Sequence, residues 1–365
     1  MKDLCYICNK ISSTMRLHVF NPEHDIALAF NRRHLTMPHA AQELRMNLGW
    51  IPALWASEDD RILVDDVAYA EKAFYKFKRN TSLHFIGWDK ISEIPVTAVD
   101  PWGWDITLHT SLVEHGLSPN VLPTVQTLSE IRRLSSRYET LRALEILRDG
   151  VATETCGESR FLLTERQVKD SIREWGRVVL KAPWSSSGRG IRYVCHEMTP
   201  SVSGWVRRIL QIQGGVMAEP YYNKVRDFGM EFYAREDGQV DYLGLSVFET
   251  VNHAYTGNLL ANEEEKELIL GSYVPLSLIN TIKSRICEYF SSRMRDYYTG
   301  PFGIDMMIVA RPDRQGFLLH PCVEINVRRT MGHVALSLSP SGNAPVQLMR
   351  IEHDVNYRLK VTPCP

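Results

Sequence analysis

The run Val178-Val-Leu-Lys-Ala182 leads directly into Pro183-Trp-Ser-Ser-Ser-Gly-Arg-Gly190, so a buried-strand pattern delivers a lysine into a loop of small residues. Successive backbone N–H groups of a Ser/Gly loop can turn toward one anion with no side chain in the way. Lys181 adds a compact positive charge where that loop begins. The stretch therefore predicts a phosphate site, with a hairpin loop that merely joins two strands as the alternative.

Better-known phosphate motifs do not account for this loop. A Walker loop has its lysine directly after the last glycine, and a dinucleotide-binding fingerprint has a third glycine that is missing here. Neither motif occurs elsewhere in the chain. The chain also lacks HExxH, GxSxG and the combined HRD and DFG elements of protein kinases, so the metalloprotease, hydrolase and protein-kinase readings lose their usual support.

A second informative stretch is Phe302-Gly-Ile-Asp-Met-Met307, followed by Val323-Glu-Ile-Asn-Val-Arg328. Alternation along a strand puts Glu324, Asn326 and Arg328 on one face. If Asp305 faces the same side, two carboxylates and one amide oxygen converge, a set that suits Mg²⁺ held together with nucleotide phosphates. Arg328 would then neutralise a transferring phosphoryl group. The alternative is a solvated sheet face with a surface ion pair. The apolar residues Ile304, Val323 and Ile325 argue against it, because they predict that the opposite face is buried.

Composition sets the broad class of the protein. The chain has 365 residues, with 42 Lys and Arg against 43 Asp and Glu, and 44% of its residues are hydrophobic. These values are typical of a globular enzyme of two or three domains and argue against nucleic acid as the main partner. Seven scattered cysteines and the absence of a signal-like or membrane-spanning run predict a reduced, cytoplasmic protein. The Cys5-Tyr-Ile-Cys8 pair leaves metal or redox use open, although no second pair completes a zinc site.

The order of strand and helix patterns predicts an α/β domain followed by α+β units. Residues 1–14 read as a disordered tail, and the first strand pattern begins just after Met15. We expect an N-terminal domain over 15–123, a subdomain carrying the small-residue loop over 124–220, and a subdomain carrying the carboxylates over 221–365. Predicted elements include strands over 178–182, 191–195, 302–309 and 316–326, and one long helix over about 275–295.

Four features of the sequence together resemble the ATP-grasp superfamily in their order and separation. They are Lys181 with its Ser/Gly loop, the strand ending in Glu219, Asp305, and Glu324-Ile-Asn326 followed by a Gly-containing loop. The resemblance covers roughly residues 125–335. It implies a Rossmann-like N-terminal domain preceding a two-subdomain ATP-grasp fold, with ATP bound between the subdomains. It also implies ATP as substrate and Mg²⁺, with Mn²⁺ as a substitute, as the metal.

Residue roles follow from the resemblance position by position. Lys181 looks like the lysine that contacts the nucleotide phosphates. Asp227 looks like the acidic residue on the ribose hydroxyls, with a loop-capping Asp as the alternative. The closing phosphate loop would contain Ser185, Ser186, Ser187, Gly188 and Gly190. The adenine hinge would contain Glu219, Tyr221 and Tyr222. The metal ligands would be Asp305, Glu324 and Asn326.

One position departs from the pattern of the family. Many members carry a second phosphate-binding lysine on a helix before the first, and the corresponding region here offers Arg137 instead. An arginine can serve electrostatically, with a forked geometry in place of a point charge. An ordinary arginine on a helix surface is the alternative.

Substrate residues are harder to predict. The Thr330-Met-Gly-His333 run resembles the loop that meets the acyl acceptor in related ligases, which makes Arg329, Thr330, Gly332 and His333 candidates. His24 and Asp25, in the run Asn21-Pro-Glu-His-Asp25 just past the first strand, lie where open α/β sheets tend to bind ligands. A helix N-terminus in which an Asp or Asn of this run merely acts as a cap is the alternative.

The implied reaction is attack of a substrate carboxylate on the γ-phosphate of ATP, which gives an acyl phosphate that an amine or similar nucleophile then displaces. Lys181 and Arg328 would be the catalytic residues, and no protein nucleophile is needed. The expected partners are a small amino-acid-like or peptide-like carboxylate and its nucleophile, with a homodimer left open and neither nucleic acid nor a membrane involved. The alternatives are an ATP-grasp phosphotransferase and a non-catalytic ATP-binding protein.

Overall fold

The computed structural model describes residues 15–78, 83–185, 190–251, 254–313, 315–340, 342 and 344–364. The predicted tail over 1–14, with its two cysteines, lies outside the described residues, as do Ser186, Ser187 and Gly188 of the small-residue loop. The described part of the chain folds into three β-sheets with helices packed against them.

The first sheet is parallel, with its four strands in the order β3-β2-β1-β4. Because the strands are parallel, their carboxyl ends meet at one edge of the sheet. The strands are β1 (Arg16–Val19), β2 (Arg61–Leu63), β3 (His84–Ile86) and β4 (Ala98–Pro101). The helices of this part are α1 (His24–Phe30), α2 (His39–Leu48), α3 (Val67–Lys78) and α4 (Ile106–Glu114).

The second sheet is antiparallel, in the order β5-β8-β6-β7. Its strands are β5 (Arg160–Leu162), β6 (Arg177–Lys181), β7 (Ile191–Cys195) and β8 (Val216–Pro220). The accompanying helices are α5 (Val125–Leu134), α6 (Arg137–Leu147), α7 (Glu165–Trp175) and α8 (Pro200–Gln213). Strand β6 ends at Lys181, so the predicted strand does deliver this lysine to the start of the small-residue loop.

The third sheet is a seven-stranded antiparallel sheet in the order β13-β12-β9-β10-β11-β14-β15. Its strands are β9 (Lys224–Ala234), β10 (Val240–Val251), β11 (Ala254–Leu260), β12 (Gly300–Ala310), β13 (Phe317–Asn326), β14 (Gln347–His353) and β15 (Tyr357–Pro363). Its helices are α9 (Glu263–Gly271), α10 (Leu276–Met294) and α11 (Met331–Leu338). The α/β and α+β class predicted from the sequence is confirmed.

Helix α11 corrects one prediction, because the segment after Asn326 was expected to be a loop containing Gly332. Thr330 instead caps the helix: its hydroxyl accepts hydrogen bonds from the amides of Gly332 and His333, and the His333 side chain accepts from the Thr330 amide. Such reciprocal capping satisfies donors that the first helical turn leaves unpaired. The substrate candidates over 330–333 therefore stand on a helix N-terminus.

The apolar core has separate parts that join distant segments. One buried cluster joins Phe20 and Trp50 of the N-terminal part to Leu260, Val334 and Met349 of the C-terminal part. Burial of such apolar area holds the parallel sheet against the large antiparallel sheet. None of the helices in the described ranges has the length and apolar character that crossing a membrane requires. The domain boundaries near residues 123 and 220 stay predictions.

Candidate functional site

A cavity of about 390 Å³ is lined by residues of both antiparallel sheets. Most of the site residues predicted from the sequence line it, although they come from distant parts of the chain. These are Arg137, Lys181, Glu219, Tyr221, Tyr222, Asp227, Asp305, Glu324, Asn326, Arg328, Thr330 and Gly332. The predicted substrate residues His24, Asp25, Arg329 and His333 do not line this cavity.

Lys181 forms an ion pair with Glu219 inside the cavity wall. The Lys181 Nζ atom lies 2.6 Å from Glu219 Oε2, and the two side chains are 7% and 6% exposed. Strands β6 and β8 are hydrogen-bonded neighbours, which brings the lysine and the glutamate together. Two residues that the sequence assigned to opposite ends of a nucleotide are thus directly paired.

The ends of the small-residue loop are close together. The amide of Ala182 donates a hydrogen bond to the carbonyl of Gly190 (2.8 Å). A Cβ atom at Gly190 would lie 2.2 Å from the Cβ of Ser185, so a side chain at this position would clash with the start of the loop. Glycine is therefore required where the loop closes.

Arg137, at the start of helix α6, links this loop to the carboxylates. Its Nη1 donates to the carbonyl of Ala182 and to Ser185 Oγ (both 2.8 Å), and its Nη2 donates to Glu324 Oε1 (2.6 Å). Only 4% of the residue is exposed, so the interpretation of Arg137 as an ordinary surface arginine is wrong. An arginine reaches both partners because its planar guanidinium carries donors on several sides.

The hinge predicted to bind adenine connects β8 to β9. The Tyr221 amide donates to the carbonyl of Arg177 (2.9 Å), and the Tyr222 carbonyl accepts from the amide of Lys224 (3.0 Å), so two of the four main-chain groups are used internally. The Tyr222 hydroxyl accepts from the amide of Glu158 (2.9 Å). These bonds hold the hinge backbone and the Tyr222 side chain in place at the cavity wall.

Asp227 lies farther along β9, on the cavity side. Its carboxylate accepts a hydrogen bond from Thr250 Oγ1 (2.6 Å) and also pairs with Lys224. The alternative reading of Asp227 as a loop-capping residue is wrong, because it lies within a strand of the large sheet. Its carboxylate is oriented by partners on two strands.

Asp305 and Glu324 are opposite each other on β12 and β13, and Asn326 lies diagonally across, opposite Gly303. Glu231 of β9, opposite Gly303 on the other side, adds a further carboxylate. Asp305 is partly buried in the cavity wall, and its desolvation together with the charges of Glu324 and Glu231 raises its pKa to about 8. This part of the cavity therefore carries negative charge that the protein compensates incompletely.

These oxygens fit a divalent cation. Mg²⁺ takes carboxylate and amide oxygens, and a cation would offset the charge that disfavours ionisation of Asp305. Among the described residues, no group of three or more His, Cys, Asp or Glu side chains is arranged to hold a metal, so a metal bound here would need the amide oxygen of Asn326 as third ligand.

The alternation used to infer the opposite face of β13 holds only in part. Ile304 and Ile325 are buried in the core as predicted, but Val323 lines the cavity. The pairing of β12 with β13 shifts between Asp305 and Met307, as at a β-bulge. A bulge breaks the two-residue period and so changes which side chains face the cavity.

Arg328 follows the end of β13 and contacts the N-terminal part of the chain. Its Nε and Nη2 donate to the two carboxylate oxygens of Asp25 (2.9 and 2.8 Å). Burial alone would raise the pKa of Asp25, but the pairing with Arg328 lowers it. The Asp25 carboxylate is thus already paired within the protein, and this bidentate pair holds Arg328 in one orientation.

Two of the predicted substrate residues are used elsewhere. Arg329 donates to Asp100 Oδ2 (2.7 Å) and its guanidinium lies 4.3 Å from the ring centroid of Trp55, in the N-terminal part. His24 is 1% exposed, and its Nδ1 lies 3.1 Å from Asp105 Oδ2. The structure therefore brings neither side chain to the cavity.

Glu231 is the main residue that sequence analysis missed. Thr330 Oγ1 donates to Glu231 Oε2 (2.9 Å), and His333 Nδ1 lies 3.0 Å from the same oxygen. A Cβ atom at Gly332 would lie 1.9 Å from Glu231 Oε1, so a larger residue there would displace the Glu231 carboxylate. The sequence does carry a signal for Glu231. Phe228, Met230 and Phe232 alternate as apolar residues and are buried on one face of β9, so Glu231 lies on the other face, which is also the face of Asp305.

Several solved structures are similar to this chain over most of its length. The biotin carboxylase domain of 2-oxoglutarate carboxylase from Hydrogenobacter thermophilus has a TM-score of 0.50 at 12% identity, covering 93% of this chain and 74% of that chain. Biotin carboxylase from Campylobacter jejuni has a TM-score of 0.48 at 15% identity, covering 93% and 75%. A protein assigned to the ATP-grasp superfamily from Archaeoglobus fulgidus has a TM-score of 0.43 at 12% identity, covering 96% and 100%.

The sequence comparisons found no relative: no protein-family model matches the chain, and no curated protein does either.

Proposed function

We propose that this chain is a member of the ATP-grasp superfamily and a Mg-ATP-dependent ligase, which activates a small carboxylate as an acyl phosphate for attack by an amine or similar nucleophile. One observation carries the proposal. Three cationic side chains, from Lys181, Arg137 and Arg328, line the same cavity as the oxygen donors Asp305, Glu324 and Asn326. The reaction joins two anions, so it needs this combination of positive charge and oxygen ligands.

In the proposed first step, a carboxylate oxygen of the substrate attacks the γ-phosphorus of ATP, the bond to the β-phosphate oxygen breaks, and ADP leaves. In the second, the nucleophile attacks the acyl carbon, phosphate leaves, and the nucleophile loses a proton to solvent. Asp305, Glu324 and Asn326 would hold Mg²⁺, which when bound supplies positive charge against the repulsion between the reacting anions. No protein side chain forms a covalent bond in either step.

The three cationic side chains have different hydrogen-bond and ion-pair partners, so we assign them different roles in the proposed reaction. Arg137 contacts both Ser185 and Glu324, so it would link a phosphate bound near Ser185 to the oxygen ligands. Arg328 is fixed by Asp25 and would orient the acceptor carboxylate or the transferred phosphoryl group. Lys181 would exchange its partner Glu219 for a nucleotide phosphate or share the two.

Trapping of the acyl phosphate tests the function. With Mg-ATP, hydroxylamine and a panel of small amino-acid-like carboxylic acids, we expect a hydroxamate and an equal amount of ADP. A stable phosphorylated product without hydroxamate would make the protein a phosphotransferase. Nucleotide binding without ADP formation across the panel would contradict an enzymatic function.

Metal binding should depend on pH. Because the Asp305 carboxyl has a pKa of about 8 in the metal-free protein and must be ionised to bind a metal, the proton competes with the cation below that pH. We expect the affinity for Mn²⁺, followed by electron paramagnetic resonance of the free ion, to rise about tenfold per pH unit from pH 6 to 8 and to level off above it.

Two variants check the origin of that pH dependence. Asp305→Asn should flatten the profile, since the amide does not titrate, whereas Asp313→Asn on the exposed β12–β13 connection should leave it unchanged. An unchanged profile in Asp305→Asn would assign the proton release to another group.

A further inference from the structure

A second cavity, of about 480 Å³, lies at the carboxyl edge of the parallel sheet. Residues that follow all four strands line it: Asn21 and Glu23 after β1, Asp65 after β2, Trp88 after β3 and Asp105 after β4. Strands β2 and β4 lie on opposite sides of β1, so the order of strands reverses at this point. Open α/β sheets bind ligands in the crevice that such a reversal creates.

Glu23, which lines this cavity, carries a polar atom without a hydrogen-bond partner in the described part of the chain. The residue is 5% exposed, and its Oε1 accepts a hydrogen bond from Arg45 Nη1 (2.6 Å). Its Oε2 is buried and has no hydrogen-bond partner among the described residues. Burial raises the pKa of Glu23 despite the opposing effect of Arg45. A buried acceptor without a donor is costly, so a donor supplied by a ligand would stabilise this arrangement.

The charges of the wall favour a cation. Arg45 is shared between Glu23 and Asp65, whose Oδ2 accepts from Arg45 Nε (2.9 Å) and whose Oδ1 accepts from Trp88 Nε1 (2.9 Å). With Asp105, three carboxylates and one guanidinium line the cavity. A cleft with this excess of negative charge attracts small cations.

The wall also has an apolar part. Leu35, Met37, Trp88 and Leu108 line the same cavity. Its volume lies within the range of small-molecule sites, which combine apolar walls with a few polar groups. The cavity thus matches a ligand that has both an apolar body and a positively charged end.

We propose that this cavity binds a small amphipathic primary amine, whose ammonium group donates a hydrogen bond to Glu23 Oε2 and whose apolar part packs against Trp88 and Leu108. The sequence singled out the segment Asn21–Asp25 through His24 and Asp25. In the structure those two side chains pair with Asp105 and Arg328, whereas Asn21 and Glu23 line the cavity.

The segment also connects the two cavities. Glu23 lines the amine cavity, and Asp25, two residues later, holds Arg328 in the wall of the first cavity. A bound amine would therefore be a reactant or an effector of the chemistry at Arg328. Binding itself requires no nucleotide, so it is independent of the ligase proposal.

Calorimetric titration without nucleotide tests the site. The probes are phenethylamine and 3-methylbutylamine, each compared with its neutral analogue, 2-phenylethanol or 3-methylbutanol. We expect saturable binding of at least one amine, at least tenfold tighter than its alcohol. Glu23→Gln should weaken amine binding at least tenfold, whereas Glu93→Gln, an exposed carboxylate of the same part of the chain, should not change it.

A second variant keeps the test decisive if Glu23→Gln fails to fold. Ser111→Phe fills the cavity from α4 without altering a charge and should abolish binding. No saturable binding of either amine at millimolar concentration, equal binding of amine and alcohol, or an unchanged affinity in Ser111→Phe would each overturn the proposal. With Mg-ATP and a substrate acid added, consumption of the amine identifies a reactant and an altered rate without consumption identifies an effector, and both support the site.

Discussion

Replacing Lys181 by methionine is expected to lower the free energy of unfolding by about 3–5 kcal/mol, the typical cost of removing one partner of a buried ion pair. Lys181 and Glu219 are less than a tenth exposed and 2.6 Å apart, so the variant leaves a carboxylate buried without its counter-charge. Chemical denaturation followed by circular dichroism measures the loss. The rise in melting temperature with Mg-ATP should also shrink, because a phosphate-binding charge is gone.

Two controls separate the ion pair from other effects. The double variant Lys181→Met with Glu219→Gln should recover much of the lost stability, because neither charge remains buried. Lys169→Met removes a lysine of an exposed pair with Glu165 (3.3 Å) and should cost less than about 1 kcal/mol. A loss in Lys181→Met no larger than that of Lys169→Met would contradict a buried pair.

Replacing Glu324 by glutamine is expected to lower the rate of hydroxamate formation by about 100-fold or more. Changes to residues that merely support a metal ligand typically cost 10–100-fold, and Glu324 is proposed as a ligand itself. Glu324 lies opposite Asp305 and accepts a hydrogen bond from Arg137 (2.6 Å). The glutamine side chain has the same shape as glutamate but carries no negative charge beside Asp305 and Arg137. The measurement is the initial rate at saturating Mg-ATP.

The matched control is Glu352→Gln on β14, where the half-exposed carboxylate pairs with Lys360 (3.2 Å). Its rate should equal that of the parent protein. A Glu324→Gln protein that retains activity within a factor of two would show that Glu324 does not hold the metal. The unfolding midpoint of each variant should be recorded, so that loss of rate is separated from loss of fold.

Part of the candidate site is predictable from the two-residue period of its strands alone. The two-residue period of β13 placed Glu324 and Asn326 on one face, and the pairing of β12 with β13 brought Asp305 opposite Glu324. The same rule applied to β9 would have found Glu231. It failed at Val323, because a bulge in the pairing shifts the period and no residue pattern there announces it.

Other features required three-dimensional contacts. Asp25 and Arg328 are 303 residues apart in the chain, and Arg137 and Glu324 are 187 apart, yet both pairs are joined by hydrogen bonds shorter than 3 Å. The type of a residue does not show whether its side chain caps a helix, binds a ligand or pairs with a distant charge. Only its neighbours in the folded chain distinguish these roles.

The sequence by itself therefore determined the fold class, the lysine at the entrance of a small-residue loop and the strand that carries the acidic residues, because strand periodicity and turn chemistry are local properties. The tertiary structure decided which charges are already paired. It paired Lys181 with Glu219, Asp25 with Arg328 and Arg329 with Asp100. These pairings depend on how separate sheets pack, and packing is set by the burial of the whole apolar core and not by any short stretch of residues.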